Sequence, residues 1–211
     1  MELKNYKNII FDFDGVIVDS NDMKKSAIFK AADQYTIAEK RDEFVEYFIH
    51  NNGLPRELKI NNYFDKTTSA KILNLYNSLL KTMLINTSFT TGFQNFLNLV
   101  KFNQLNSYIV SGGDKNEIID ILKSNNILEH FIDIKAAPYT KEKNIEMLNI
   151  NCEKTLYIGD SLIDYKAAKK YNISFIFMYG YSQFYNWKEY FKNEKDIIFI
   201  RDFNTLVNCK C

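Results

Sequence analysis

The sequence is poor in glycine, proline and cysteine. Its 211 residues include 7 Gly, 2 Pro and 3 Cys, which excludes low-complexity linkers. The cysteines, Cys152, Cys209 and Cys211, do not make a disulfide framework and have no His or Cys partners at metal-ligand spacing. We therefore expect reduced thiols rather than a metal site. The length and the 46% hydrophobic content predict one domain, or a small domain with an insertion, around a sizeable core.

An excess of either charge is also missing. The chain has 27 Lys+Arg against 26 Asp+Glu, so a dedicated nucleic-acid surface is not expected. No apolar run approaches the roughly 20 residues of a membrane span. The first eight residues, MELKNYKN, are polar and carry no signal-peptide core. These features predict a cytoplasmic protein without membrane or nucleic-acid partners.

What the chain does have is an apolar run that ends in acid, IIFDFDGVIVDS over residues 9–20. The apolar half is typical of a strand buried on both faces. Asp12 and Asp14 are two residues apart, so an extended backbone puts both carboxylates on one side, and Gly15 permits a sharp exit. Two acids at a buried strand end need a metal, a substrate clamp or a lysine nearby. An Asp-capped turn accounts for one of them better than for both.

The hydrophobic periodicity divides the chain into two parts. Residues 18–88 show only helical patterns, whereas the chain from Thr90 onward alternates helices with short strands. The alternation predicts right-handed βαβ units and an α/β, doubly wound parallel sheet. We expect a core domain of residues 1–17 and 89–211 and an inserted helical domain of residues 18–88. Ligands bind such sheets beyond the carboxyl ends of the strands.

Three further groups of polar residues are predicted at those strand ends or helix starts. Ser111-Gly112-Gly113 follows a strand, and its hydroxyl and backbone N–H groups suit an anion, although a plain strand-to-helix turn would use the same residues. Lys141 and Lys143 begin a helix, where a cation is electrostatically disfavoured. Asp160 ends a strand, and Asp164 follows one helical turn later on the same side.

These pieces resemble the motifs of the haloacid dehalogenase-like (HAD) hydrolase superfamily. DFDGVIVDS is similar to the first motif, DxDGxxxDS, and Ser111 to the second. Lys141 best matches the third, with Lys143 as the alternative, although the common Lys-Pro form is absent. LYIGDS followed by Asp164 resembles the fourth motif, hhhGDSxxD, with Asn172 in place of the usual glycine after the helix. The resemblance spans residues 12–164.

The resemblance implies a Rossmann-like, Mg²⁺-dependent phosphatase that works through an aspartyl-phosphate. Asp12 would be the nucleophile and Asp14 the general acid/base. Mg²⁺ would bind Asp12, the Asp14 backbone carbonyl and Asp160, with Asp164 orienting the lysine. The phosphoryl oxygens would be held by Ser111, Gly112, Gly113 and Lys141.

In this family, a helical insertion at residues 18–88 corresponds to a type C1 cap, with Asp19–Ser20 and Ser88–Thr91 as hinge strands. The segment of residues 50–59 is similar to a cap loop in members associated with surface-polysaccharide biosynthesis. Arg56 is therefore predicted to contact substrate, with Lys59 and Asn52 behind it, although a solvated helix–helix turn fits as well. His50 is interpreted as a core histidine or a site contact.

The favoured function is hydrolysis of a small phosphorylated metabolite, a sugar phosphate or phosphorylated glycan intermediate, by a monomer or weak homodimer. A phosphomutase of the same family shares every motif and is the first alternative. A haloacid dehalogenase or phosphonatase fits less well because Asp14 and Asp160 are both present. A non-catalytic binding protein with this fold would usually lack one of the central acids.

Overall fold

The computed structural model describes residues 2–84 and 87–207 and contains one six-stranded, fully parallel sheet with helices on both faces. The strands are β1 (Asn8–Phe11), β2 (Asn106–Val110), β3 (Asp133–Lys135), β4 (Thr155–Gly159), β5 (Ser174–Met178) and β6 (Ile197–Ile200). Their order in the sheet is β3-β2-β1-β4-β5-β6. This order confirms the predicted α/β, doubly wound sheet and places β1, the strand before Asp12, at its centre.

The helices are α1 (Asn21–Asp33), α2 (Ala38–His50), α3 (Arg56–Asn61), α4 (Lys66–Met83), α5 (Phe93–Phe102), α6 (Lys115–Ser124), α7 (Lys141–Leu148), α8 (Leu162–Lys170), α9 (Trp187–Tyr190) and α10 (Asn204–Val207). The sequence pattern gave no sign of the short α9 and α10. Helix α7 ends at Leu148 because Asn149 adopts a left-handed conformation, with φ of 49°. Asn172 takes the left-handed position predicted after α8, with φ of 54°.

Both faces of the sheet are buried, because successive side chains of each strand point to opposite faces and each face packs into an apolar cluster. In β1, Ile9 and Phe11 belong to one apolar cluster and Ile10 to another. Phe11 meets Phe93, Phe96 and Phe131 edge-on, with ring centroids 6.0–6.2 Å apart. With both faces covered, polar chemistry is confined to the ends of the strands.

The four helices between β1 and β2 pack on one another. Helix α1 packs against α2 and α4, and α3 packs against α4. The chain entering this helical segment pairs with the chain leaving it. Val18 forms an antiparallel bridge with Phe89, and the Asp19 N–H donates to the Ser88 carbonyl at 2.9 Å. The backbone therefore ties both ends of the segment together beside the end of β1.

None of the helices in the described part of the chain combines the length and apolar character that crossing a bilayer requires. Cys152 is a free, half-buried thiol, while Cys209 and Cys211 lie outside the described residues.

Candidate active site

Acids and a lysine from four separate elements meet at the carboxyl end of the sheet. Asp12 and Asp14 follow β1, Ser111 follows β2, Asp160 follows β4, and Lys141 is the first residue of α7. All five side chains are buried. The structure therefore brings together the residues of all four predicted motifs.

Lys141 is the central cation of this group. Its side chain is completely buried, with Nζ 2.8 Å from Asp12 Oδ2 and in contact with Asp164 Oδ1. Burial acts to lower the pKa of Lys141, but Asp12 and Asp164 raise that pKa above its ordinary value. Lys143, the other candidate, is exposed and pairs with Glu146 at 2.8 Å. Only Lys141 of the two lies in the site.

Asp164 is fully engaged by its neighbours. Beside Lys141, it accepts hydrogen bonds from the Tyr157 hydroxyl at 2.5 Å and from the Ser161 N–H and hydroxyl at 3.1 and 2.6 Å. Ser161 and Asp164 form a capping box at the start of α8. Asp164 thus fixes the Lys141 ammonium beside Asp12.

Asp12 and Asp160 are buried acids that destabilise each other's charged form. Burial and then Asp164 raise the pKa of Asp12 to about 7, against the opposing effect of Lys141. Burial, followed by Asp12 and Asp164, raises the pKa of Asp160 well above its ordinary value. The carboxylates repel one another without enough cationic charge nearby to neutralise them.

The arrangement of oxygens fits a hard cation. Oxygens of Asp12, Asp160 and Asp164 lie within 4.8 Å of one another. Asp164 is occupied by its hydrogen bonds, whereas Asp160 Oδ1 is buried without a hydrogen-bond partner in the described part of the chain. A free, buried carboxylate oxygen next to a second carboxylate is the ligand type that Mg²⁺ takes.

Asp14 has the opposite environment. The Ser20 hydroxyl donates to Oδ1 and the Lys24 ammonium lies at Oδ2, both at 2.5 Å. Burial acts to raise the pKa of Asp14, but Lys24 and then Ser20 outweigh it and the pKa is lowered. Ser20, predicted at the hinge of the helical segment, also holds Asp14 through its side chain, a contact that the sequence did not predict. Lys24 was not predicted, since a single lysine on a helix gives no sign of its partner.

Asn21 and Gln183 are further residues that the sequence did not reveal. Asn21 donates to Asp160 Oδ2 at 2.7 Å and to the Tyr181 carbonyl at 2.9 Å, and Gln183 donates to the Asn21 carbonyl at 3.2 Å. The loop after β5 therefore joins α1 to the metal-binding side of the site.

The loop after β2 touches the helical segment at Gly112. A Cβ on Gly112 would collide with the backbone of Gly53, so only glycine allows this approach. The Gly113 N–H donates to the Ser111 hydroxyl at 3.0 Å. The predicted phosphate-binding loop thus lies directly under the loop of residues 51–55.

A small cavity of about 40 Å³ separates the sheet end from the helical segment. All the predicted substrate-binding residues line it, namely Asn52, Arg56, Lys59, Gly112 and Gly113. His50 is exposed and does not line the cavity, so both interpretations of His50 are wrong.

Arg56 forms an ion pair with Glu117 of α6 and is not an unpaired cation in the cavity. Its guanidinium contacts both carboxylate oxygens of Glu117 on α6, with Nη1 to Oε1 at 2.8 Å, and donates to Asn77 Oδ1 at 2.8 Å. Asp114 and Glu117 have the spacing of a capping box at the start of α6, but only half of the box forms. Asp114 accepts from the N–H groups of Asn116 and Glu117 at 2.9 and 3.1 Å, but the Glu117 side chain is bound to Arg56.

Comparison of the sequence with known families identifies one matching family. A sequence model of the family described as haloacid dehalogenase-like hydrolase matches residues 9–178. No curated protein sequence matches the chain significantly.

Solved structures share the architecture over nearly the whole chain. A predicted phosphatase from Clostridium acetobutylicum has a TM-score of 0.77 and 20% identity, covering 96% of each chain. A haloacid dehalogenase-like family hydrolase from Streptococcus pneumoniae has a TM-score of 0.72 and 19% identity, covering 98% of this chain and 99% of its own. A β-phosphoglucomutase from Clostridium difficile has a TM-score of 0.73 and 21% identity, covering 95% and 93%. At these identities the likeness shows the fold alone.

Proposed function

Because the chain belongs to the haloacid dehalogenase-like hydrolase family, we propose that it is a phosphatase that transfers the phosphoryl group of a small phosphorylated metabolite to Asp12 and then to water. The observation that carries the proposal is the setting of Asp12. Its carboxylate is buried at the end of the central strand, 2.8 Å from a buried lysine and close to Asp160, with Asp14 two residues away.

The reaction requires two displacements at phosphorus. An Asp12 carboxylate oxygen attacks phosphorus in line, and the bond from phosphorus to the leaving oxygen breaks while Asp14 donates a proton to that oxygen. Asp14 then takes a proton from water, whose oxygen attacks phosphorus and releases phosphate and free Asp12. Lys24 and Ser20 favour the carboxylate form of Asp14, the form that accepts this proton. The proton that Asp14 takes from water in one turnover is the proton that it donates to the leaving oxygen in the next.

Other residues of this chain hold the phosphoryl group. In this proposal the Ser111 hydroxyl, the N–H groups of Gly112 and Gly113 and the Lys141 ammonium bind its oxygens. Lys141 also keeps Asp12 oriented, because Asp164 holds the ammonium from the other side.

The free oxygen of Asp160 supports a Mg²⁺ site formed by Asp160, Asp12 and the backbone carbonyl of Asp14. When bound, Mg²⁺ would screen the repulsion between the Asp12 carboxylate and the anionic phosphate. Asp164 would remain with Lys141 and outside the direct ligand set.

We further propose that residues 18–88 form the cap over a core of residues 1–17 and 89–211. Ligand pockets for drug-sized molecules measure roughly 300–1,000 Å³. The cavity of about 40 Å³ is much smaller, which supports a closed cap that has to open for substrate to enter. The polar segment of residues 50–59 supports a sugar phosphate or phosphorylated glycan intermediate of surface-polysaccharide biosynthesis as the substrate.

The test is phosphate release from a panel of sugar phosphates and an aryl phosphate in the presence of Mg²⁺. We expect Asp12→Asn to lower kcat by about 10³-fold or more, because the amide is a poor nucleophile. Asp196→Asn, an exposed matched change, serves as the control, and circular dichroism verifies folding. Near-normal turnover by Asp12→Asn would exclude Asp12 as the nucleophile. Isomer formation without net phosphate release would instead make the protein a mutase, the activity for which the C. difficile β-phosphoglucomutase is named.

A further inference from the structure

One buried cation of the active-site cavity, Lys59, has no counter-ion among the described residues. The Lys59 side chain lines the cavity and the residue is only 4% exposed. Among the described residues, no carboxylate lies within 4.0 Å of its ammonium group. The other buried cations of the site are paired: Lys24 with Asp14, Arg56 with Glu117, and Lys141 with Asp12 and Asp164.

Burying an unpaired ammonium is energetically unfavourable. Burial and then the charge of Lys24 lower the pKa of Lys59 well below its ordinary value. The hydrogen bond in the structure goes to the Phe48 carbonyl at 3.3 Å, in the last turn of α2. A lysine at a helix C-terminus commonly makes this bond, but a neutral donor would make it equally well. The Lys59 ammonium also lies 3.4 Å from the centroid of the Phe48 ring, a cation–π contact that stabilises the charge in part. Neither contact supplies a counter-ion.

The position of Lys59 identifies which part of a substrate it meets. Lys59 lies on α3 in the helical segment, whereas the reacting carboxylates and the Ser111 loop lie at the strand ends on the other side of the cavity. A phosphoryl group in contact with Asp12, Ser111 and Lys141 directs its leaving group toward α3. Asp14, the acid that protonates the leaving oxygen, is electrostatically coupled to Lys59.

We propose that Lys59 binds a second anionic group, a carboxylate or another phosphate, carried by the leaving group of the substrate. This inference rests on the proposed phosphatase function and narrows the substrate class to phosphate monoesters of acids or to bisphosphates. The anion supplies the counter-charge that Lys59 lacks in the cavity. Lys59 is then a specificity residue that recognises the leaving group rather than the transferred phosphate.

The experiment compares matched substrates that differ only in the second anion. 3-Phosphoglycerate is compared with glycerol 3-phosphate for the carboxylate, and glucose 1,6-bisphosphate with glucose 6-phosphate for the second phosphate. The kcat and KM for phosphate release with Mg²⁺ are measured for the wild type, Lys59→Met, Lys59→Gln and Lys59→Arg. Glutamine keeps a donor for the Phe48 carbonyl without the charge. Lys66→Met, an exposed lysine change in the same helical segment, is the control.

We expect the wild type to prefer the member with the second anionic group in at least one pair. The pair that shows the preference identifies that group as a carboxylate or a phosphate. Lys59→Met and Lys59→Gln should lower kcat/KM for that member by about 10- to 100-fold, mainly through KM, the range expected for losing a hydrogen bond to a charged group. Both variants should lower kcat/KM less for the member without the second anion, because that member makes no charged contact with Lys59. Lys59→Arg should restore part of the preference, and Lys66→Met should behave as the wild type.

Two results would overturn the inference while leaving the phosphatase proposal intact. One is hydrolysis of an aryl phosphate by a wild type that shows no preference for the anionic member of either pair. The other is a Lys59→Gln variant that keeps the wild-type preference, or whose kcat/KM falls equally for both members of a pair. Absence of phosphate release from every substrate, the aryl phosphate included, would instead reject the proposed function and this inference with it.

Discussion

Asp12 and Asp14 lie two residues apart on the same loop, yet their pKa values move in opposite directions. Burial and the Asp164 charge raise the pKa of Asp12 to about 7, although Lys141 opposes them. Lys24 and Ser20 lower the pKa of Asp14 in spite of its burial. Divergent environments for paired carboxyl groups are how active sites divide nucleophile and acid/base roles. The residues around each acid, rather than the acids themselves, set this division.

Replacement of Lys24 tests its role in holding Asp14. Lys24→Met leaves Asp14 with the Ser20 hydroxyl alone, so the carboxyl group is no longer aimed by an ion pair. We expect kcat to fall by about 10- to 100-fold, since positioned acid/base catalysis contributes about 10²- to 10⁴-fold. KM should change little, and Lys24→Arg should recover part of the loss. Lys30→Met, an exposed lysine change on α1, is the control. Wild-type kcat in Lys24→Met would show that Asp14 needs no such partner.

Individual residues differed in how far their roles could be predicted from sequence. Asp12, Asp14, Ser111 and Asp160 stand at the ends of apolar runs, and the parallel order of strands brings such positions together. Lys24, Asn21 and Gln183 stand in ordinary helical or loop sequence. Their contacts depend on how α1 and the loop after β5 fold back over the strand ends, which no local pattern encodes.

At the scale of elements, the helical segment is joined to the core by both backbone and side chains. The Val18–Phe89 bridge and the Asp19–Ser88 hydrogen bond form its base. Gly112 against Gly53 and Arg56 against Glu117 connect its far side to α6 and the loop before it. Hydrophobic periodicity predicted the helices themselves. The partner of Glu117 could not be predicted in this way, because Arg56 lies on a distant element. Arg56 thus lines the active-site cavity and at the same time joins the helical segment to Glu117 on α6.

A double-mutant cycle separates the two possible roles of Arg56. If Arg56 acts only through Glu117, then Arg56→Gln, Glu117→Gln and the double variant should lower kcat/KM to a similar extent, about 10-fold for the loss of one partly buried charged pair. If Arg56 also contacts the substrate, Arg56→Gln should lower kcat/KM more than Glu117→Gln, and this is the result we expect. Steady-state kinetics on the best substrate provides the measurement. An unchanged kcat/KM in Arg56→Gln would contradict both roles.

At the scale of the whole molecule, burying the acids of the active site together lowers stability, and a cation bound between them would relieve that penalty. Asp12, Asp160 and Asp164 are buried together, and one Asp160 oxygen has no hydrogen-bond partner among the described residues. A ligand that binds only the native state at 100 times its Kd stabilises by about 2.7 kcal/mol. For a chain of this size, each 1 kcal/mol shifts Tm by roughly 2–4 °C.

We therefore expect saturating Mg²⁺ to raise Tm by roughly 5–10 °C, measured by differential scanning calorimetry. Asp160→Asn removes one buried like charge, so Tm without metal should rise and the response to Mg²⁺ should disappear. The exposed Asp120→Asn change should leave both values unchanged. A normal Mg²⁺ response in Asp160→Asn would contradict the proposed ligand set.

The central position of β1 has a consequence for the order in which the protein is made. The ribosome produces β1 and Asp12 first, but the sheet partners of β1 are Asn106–Val110 and Thr155–Gly159. The helices over residues 21–83 pack mainly on one another and are complete well before either partner exists. A nascent chain thus assembles its helical segment early and holds its first strand unpaired until late in synthesis. Premature termination before Thr155 leaves an apolar strand without its second neighbour, so such fragments are expected to depend on chaperones for solubility.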